Sequence, residues 1–127
     1  MPRGRILYVS VQAEAADDLC SVLKPLPVHI EIAHGVSTAI EILRERQFHA
    51  IIAKLEGVNG ENDEDDLLRL LQNREGRTPV IVVTEQTDAG FAQRLYSAGV
   101  FDIMFMPADR QAFAGGIRRA LLRSGLI

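Results

Sequence analysis

Only one cysteine, Cys20, stands in the 127-residue chain, so no disulfide can close within it, and no Cys/His spacing suits a metal. Long apolar runs are missing as well. The N-terminal Met-Pro-Arg-Gly-Arg leads only into the short stretch 6–9. That is too short for a signal peptide or a membrane span, and a cytoplasmic protein is expected. A surplus of positive charge is absent: the net charge is −3. This argues against direct nucleic-acid binding, which needs a basic field. There is no internal repeat and no low-complexity tract. Gly57, Gly60, Gly115 and Gly116 do not form a strand–glycine-loop–helix cradle for phosphate. His29, His34 and His49 are scattered, and no catalytic or ligand role is assigned to them. With 47% hydrophobic and 24% charged residues, what remains is a soluble globular chain long enough for one core.

The apolar residues fall into two alternating patterns. Short β-branched runs occupy 6–10, 28–33, 48–54, 79–84 and 102–106. Several are apolar almost throughout, as in parallel strands covered on both faces. Between them the spacing is helical. Ala16, Leu19, Val22, Leu23 and Leu26 share one stripe, and Val36, Ala39, Ile40 and Leu43 another. Leu67, Leu68, Leu70 and Leu71 form the next; Phe91, Leu95 and Ala98, then Phe113, Ile117, Ala120 and Leu121, complete the series. Pro25 and Pro27 end the first helical segment, Gly35 or Ser37 caps the second, and Gly99 follows the fourth as a left-handed C-terminal residue would. Gly115 and Gly116 lie inside the last helix at about 1 kcal/mol each against alanine, which points to close packing or a weak point there. Strand–helix repeated five times predicts an α/β fold: one domain over 1–127, with a doubly wound, flavodoxin-like (βα)5 architecture and a five-stranded parallel sheet in the order 2-1-3-4-5. Sites in such sheets lie at the carboxyl ends of the strands. There stand Ser10, Val11, Lys54, Thr84, Glu85 and Met106.

At this level the chain resembles the receiver domains of response regulators, the CheY-like family, over nearly its whole length. RILYVS is similar to their first strand, FHAIIAKLEG to the third, RTPVIVVTE to the fourth and AGVFDIMFMP to the fifth. The last two are the more specific, through Thr84 in one and Gly99 with Pro107 in the other. The resemblance implies a phosphoryl-accepting aspartate on the third strand and an acidic pair after the first strand to hold Mg²⁺. It also implies a Thr/Ser and a lysine touching the phosphoryl oxygens, and an aromatic switch on the fifth strand. Residue by residue, the acidic pair falls on Ser10 and Val11, the acceptor on Lys54, the lysine on Met106 and the aromatic switch on Ile103. Only Thr84 and Pro107 keep the pattern.

Phosphoryl transfer needs a nucleophilic oxygen and a cation that neutralises the moving group. An ammonium at Lys54 has no carboxylate to attack with, and Ser10 and Val11 offer Mg²⁺ no anionic oxygens. The expectation is a degenerate pseudo-receiver: a non-enzymatic signalling module without cofactor or metal. It would act by protein–protein contact with a signalling partner, an output domain or a second copy of itself. The face of the fourth helix, fifth strand and fifth helix would carry that contact. Phe101 and Ile103 are the candidate contact residues. A Lys54–Glu85 ion pair, with Glu56 near in sequence, is a candidate replacement for the metal cluster; the alternative is a solvated lysine. The acidic run Glu61, Asp63, Glu64, Asp65 and Asp66 reads as complement to a helix N-terminus rather than as a cation site. Asp17 and Asp18 lie too far beyond the first strand to serve as the acidic pair, and Cys20 reads as a small packed residue. Two other readings stay open: a true phosphorelay receiver with a non-standard acceptor, and a flavodoxin-like small-ligand-binding domain.

Overall fold

The computed structural model describes residues 4–10, 28–54, 63–74, 78–84, 89–105 and 110–125. The strands are β1 (Gly4–Val9), β2 (Val28–Ala33), β3 (Ala50–Lys54), β4 (Val80–Thr84) and β5 (Asp102–Phe105). The helices are α1 (Val36–Glu45), α2 (Asp63–Asn73), α3 (Ala89–Ala98) and α4 (Arg110–Ser124). The stripe 16–26, with Cys20, Pro25 and Pro27, lies outside the described residues. All pairings are parallel, and the sheet order is β2-β1-β3-β4-β5, as the repeat of strand and helix required.

Burial explains which strands read as continuous apolar runs. All five residues of β4 and the first four of β3 are buried, because each strand has neighbours on both sides and helices above and below. The edge strands β2 and β5 are only partly covered. Side chains alternate between two cores. Leu7, Val9, Ile51, Ala53, Val82 and Ile103 meet Ile40 and Leu43 of α1, Leu67 and Leu70 of α2, and Phe91 and Leu95 of α3. Ile6, Tyr8, Ile52, Ile81, Val83 and Met104 meet Phe113, Ile117, Ala120 and Leu121 of α4 on the other face. Each fully buried Leu, Ile or Phe contributes about 1.5–3 kcal/mol, so the sheet is fixed mainly by these alternating apolar sets.

The punctuation is partly as expected. Gly35 is the residue before α1, with φ +116° and no side-chain cap bond, so Ser37 does not cap that helix. Gly99 has φ +110°. Its N–H donates to Tyr96 O and that of Val100 to Leu95 O, a paired closure that satisfies two carbonyls at the end of α3. The β3 ladder starts at Ala50 opposite Ile6 rather than at Phe48, although Phe48 is buried. Pro79, which lacks an N–H, precedes β4 and accepts from Ile51 N. Of the two helix glycines, Gly116 is packed against Met104 and Asp102, whereas Gly115 faces only the end of Arg119. Among the described residues no helix is long and apolar enough to cross a membrane.

Candidate functional site

The carboxyl edge of the sheet is assembled by register. Val9 pairs with Ala53, so Ser10 follows β1 beside Lys54, the last residue of β3. Lys54 in turn pairs with Val83, and Thr84 closes β4 opposite Phe105. Three of the site positions read from the sequence, Ser10, Lys54 and Thr84, therefore share one edge. Ser10 is 1% exposed and its N–H donates to Ala33 O at 3.0 Å, which ties the end of β1 to β2. Thr84 is 4% exposed. Lys54 is half-buried, as suits a long side chain whose stem can cover apolar surface while its charged head stays in water. Val11, Glu56, Glu85, Met106 and Pro107 lie outside the described residues, and with Glu85 the candidate Lys54–Glu85 pair. Among the described residues Lys54 takes part in no ion pair; those that form include Arg46–Glu31 at 2.7 Å and Arg119–Asp102 at 3.2 Å.

The donor set at this edge does not suit a divalent cation. A hard ion such as Mg²⁺ takes oxygen ligands, chiefly carboxylates. The described edge offers two buried hydroxyl residues and an ammonium, which repels the ion. No group of three His, Cys, Asp or Glu close enough to hold a metal exists among the described residues.

The α3–β5–α4 surface differs from the sequence expectation in its residues. Ile103 is only 7% exposed and packs in the core with Leu95 and Val82. It is a floor residue rather than a contact residue. Strand alternation sends it inward under α3. Phe101 is half-buried against the Met104 and α4 core. The exposed apolar groups on these elements are Tyr96 at 49%, Phe105 at 42% and Leu122 at 59%. Tyr96 lies off the Phe91–Leu95 stripe, which is the sequence signal that it faces outward. Asp102 links this surface. Its Oδ1 accepts from the Ile103 N–H at 2.9 Å and the Tyr96 hydroxyl at 3.3 Å, and its Oδ2 accepts from Arg119 at 3.2 Å. Burial and the Asp102 charge raise the pKa of the Tyr96 phenol above its ordinary value. Sequence reasoning missed this network, because Asp102 and Arg119 are far apart in the chain.

A parallel 2-1-3-4-5 sheet with α1, α2 and α3 on one face and α4 on the other is an arrangement that known structures share. The signal receiver domain of a putative LuxO repressor protein from Vibrio parahaemolyticus superposes with a TM-score of 0.84 at 24% identity, over 98% of this chain and 94% of that one. The chain has the receiver fold. The signal receiver domain of an HD domain-containing protein from Pseudomonas fluorescens Pf-5 gives 0.82 at 23%, over 98% and 91% of the two chains. A CheY-like response regulator receiver domain protein from Methanospirillum hungatei gives 0.81 at 18%, over 96% of each. No protein-family model and no curated protein sequence matches the chain. At these identities the similarity is one of fold, and the receiver fold by itself assigns no chemistry.

Proposed function

We propose that this receiver-fold chain is a non-enzymatic signal-transduction module of one domain, which acts by protein–protein contact and takes up no phosphoryl group. The observation that carries the reading is Lys54 at the end of β3, beside buried Ser10 and one residue short of the level of buried Thr84 on the adjacent β4. A receiver needs a carboxylate nucleophile and a bound cation at that point. Lys54 supplies a fixed positive charge and no nucleophilic carboxylate. Charge stabilisation of a moving phosphoryl group is the largest part of such catalysis, and the groups for it are missing at Ser10 on the described edge and at Val11 and Met106 in the sequence. Contact with a signalling partner or an output domain then runs through α3, β5 and α4. Tyr96 and Phe105 supply exposed apolar area there, and Asp102 with Arg119 supplies a polar link. Exposed aromatics beside an arginine are the composition that contact surfaces favour.

The test is incubation with acetyl phosphate, and separately with beryllofluoride, in the presence of Mg²⁺. Intact mass and amide NMR should show no adduct and no shifts around Ser10, Lys54 and Thr84. A stoichiometric phospho-adduct would overturn the reading and favour a phosphorelay receiver with a non-standard acceptor.

A further inference from the structure

The opposite edge of the sheet, where the strands begin, holds two neighbouring cavities of about 390 and 400 Å³ that share Pro79 and Arg123. One is bounded by residues 47–49 ahead of β3 and by the last turn of α4. The other is bounded by Arg74 after α2 and by residues 99–101 ahead of β5. Each is within the size range of small-molecule pockets.

The charged groups of this double groove are donors, beside the neutral polar residues Gln47, Thr78 and Ser124. Arg74 is held in place by bonds from Nη1 to Thr78 O at 3.2 Å and Gly99 O at 3.1 Å, which use one nitrogen of a group with five N–H donors. Arg123 is exposed on the last turn of α4 and takes part in no ion pair among the described residues. His49 accepts the Arg5 N–H at Nδ1, 3.1 Å away, so its proton sits on Nε2 as a further donor. No Asp or Glu is among the described lining residues. Asp102, the carboxylate next to Phe101 in the chain, is already engaged by Ile103 N, Tyr96 and Arg119. Glu75 and Arg77 lie outside the described residues. The floor is apolar: Phe48, Pro79 and Val100 are buried and Phe101 is half-buried.

Helix C-termini converge on this edge, and their carbonyls attract cations. Those carbonyls are largely closed by the chain itself. Tyr96 O and Leu95 O take the N–H groups of Gly99 and Val100, Leu122 O takes that of Gly125, and Leu121 O takes the Ser124 hydroxyl at 2.8 Å. The guanidinium forks therefore keep donors to offer outward, in the planar geometry that suits carboxylate and phosphate.

We propose that this groove binds a small organic anion, a carboxylate or phosphate on a flat apolar body, held between Arg74 and Arg123 over the Pro79 floor. The site is separate from the Lys54 edge and does not depend on how that edge is read.

The test titrates the full chain with benzoate, phenyl phosphate and inorganic phosphate, followed by amide NMR. Benzoate and phenyl phosphate share the ring and differ in the charged head; inorganic phosphate lacks the ring. Saturable shifts centred on His49, Thr78, Gly99 and Val100 are expected with one or both aromatic anions, and the tighter of them assigns the head group. Arg123→Gln should weaken that binding about tenfold, the loss of one charge-assisted contact, and Arg123→Lys should weaken it less. Arg44→Gln, an exposed charge on α1, should leave it unchanged. The proposal is overturned by an absence of saturable shifts at millimolar ligand or by shifts centred on Ser10 and Lys54. It is equally overturned by unchanged binding in Arg123→Gln, or by inorganic phosphate binding as tightly as the aromatic anions.

Discussion

Adjacent glycines in α4 should respond differently to the same substitution. Both sit inside a fifteen-residue helix, where Gly→Ala gains about 1 kcal/mol of helix propensity. A Cβ on Gly115 would meet only the Arg119 Nη1, at 3.5 Å, an ordinary contact with the far end of a flexible side chain. Gly115→Ala should therefore stabilise by about 0.5–1 kcal/mol. A Cβ on Gly116 would overlap the Met104 Cε and stand 3.5 Å from Asp102 Oδ2. Met104 is 8% exposed and enclosed with Phe113 and Ile117, so its thioether must find a new rotamer in a filled core. Overpacking of that kind costs about 1–3 kcal/mol, which offsets the propensity gain and leaves Gly116→Ala neutral to about 2 kcal/mol destabilising. Urea melts at constant m-value give the comparison. Met104→Leu removes the clashing methyl position, so the Met104→Leu/Gly116→Ala double variant should recover stability that the single changes do not predict by addition. If Gly116→Ala stabilises as much as Gly115→Ala, the close approach of α4 to β5 is not what fixes that glycine, and the reasoning is refuted.

Gly99→Ala should destabilise by about 1–2 kcal/mol, because φ +110° disfavours an L side chain and a Cβ there would stand 2.9 Å from Arg74 Nη2; a lowered denaturation midpoint checks it. Lys54→Met and Lys54→Asp should each change stability by no more than about 1 kcal/mol, as for other half-exposed charges, because the described neighbours Ser10 and Thr84 carry no charge. Neither variant should take up phosphoryl from acetyl phosphate, as read by intact mass. Tyr96 should titrate above an ordinary tyrosine. Its folded form holds the phenolic proton more tightly than the unfolded chain does, so that contribution is intact below the ordinary tyrosine pKa and is lost as pH rises through the raised value. Phenolate absorbance of the wild type against Tyr96→Phe follows it, and Asp102→Asn should move the transition downward.

The strands and their order were legible because β1, β3 and β4 carry unbroken apolar runs and the helical stripes carry a 3.6-residue period. Those signals are local, and burial on both faces of the sheet amplifies them. The exposed surface was less legible. The sequence pointed to Phe101 and Ile103, yet alternation along β5 turns Ile103 into the core and leaves Phe105 and Tyr96 outside. A four-residue edge strand gives too few repeats to fix the parity of its faces from sequence alone. The Asp102–Tyr96–Arg119 network and the Arg74 bonds to Thr78 and Gly99 join residues from separate elements, and no spacing rule connects them.

The residues that build this fold are disjoint from those that would give it chemistry. Leu7, Ile51, Val82 and their neighbours form the buried clusters that close the sheet, and Lys54 at the strand end belongs to neither cluster. Electrostatics suits a lysine at an edge whose described neighbours carry no acid. A cluster of carboxylates at one sheet edge needs a bound cation to relieve its repulsion. One lysine with Ser10 and Thr84 as its described neighbours needs none. On the proposed reading, a signal carried by the domain comes from what binds its surface rather than from a group added at Lys54.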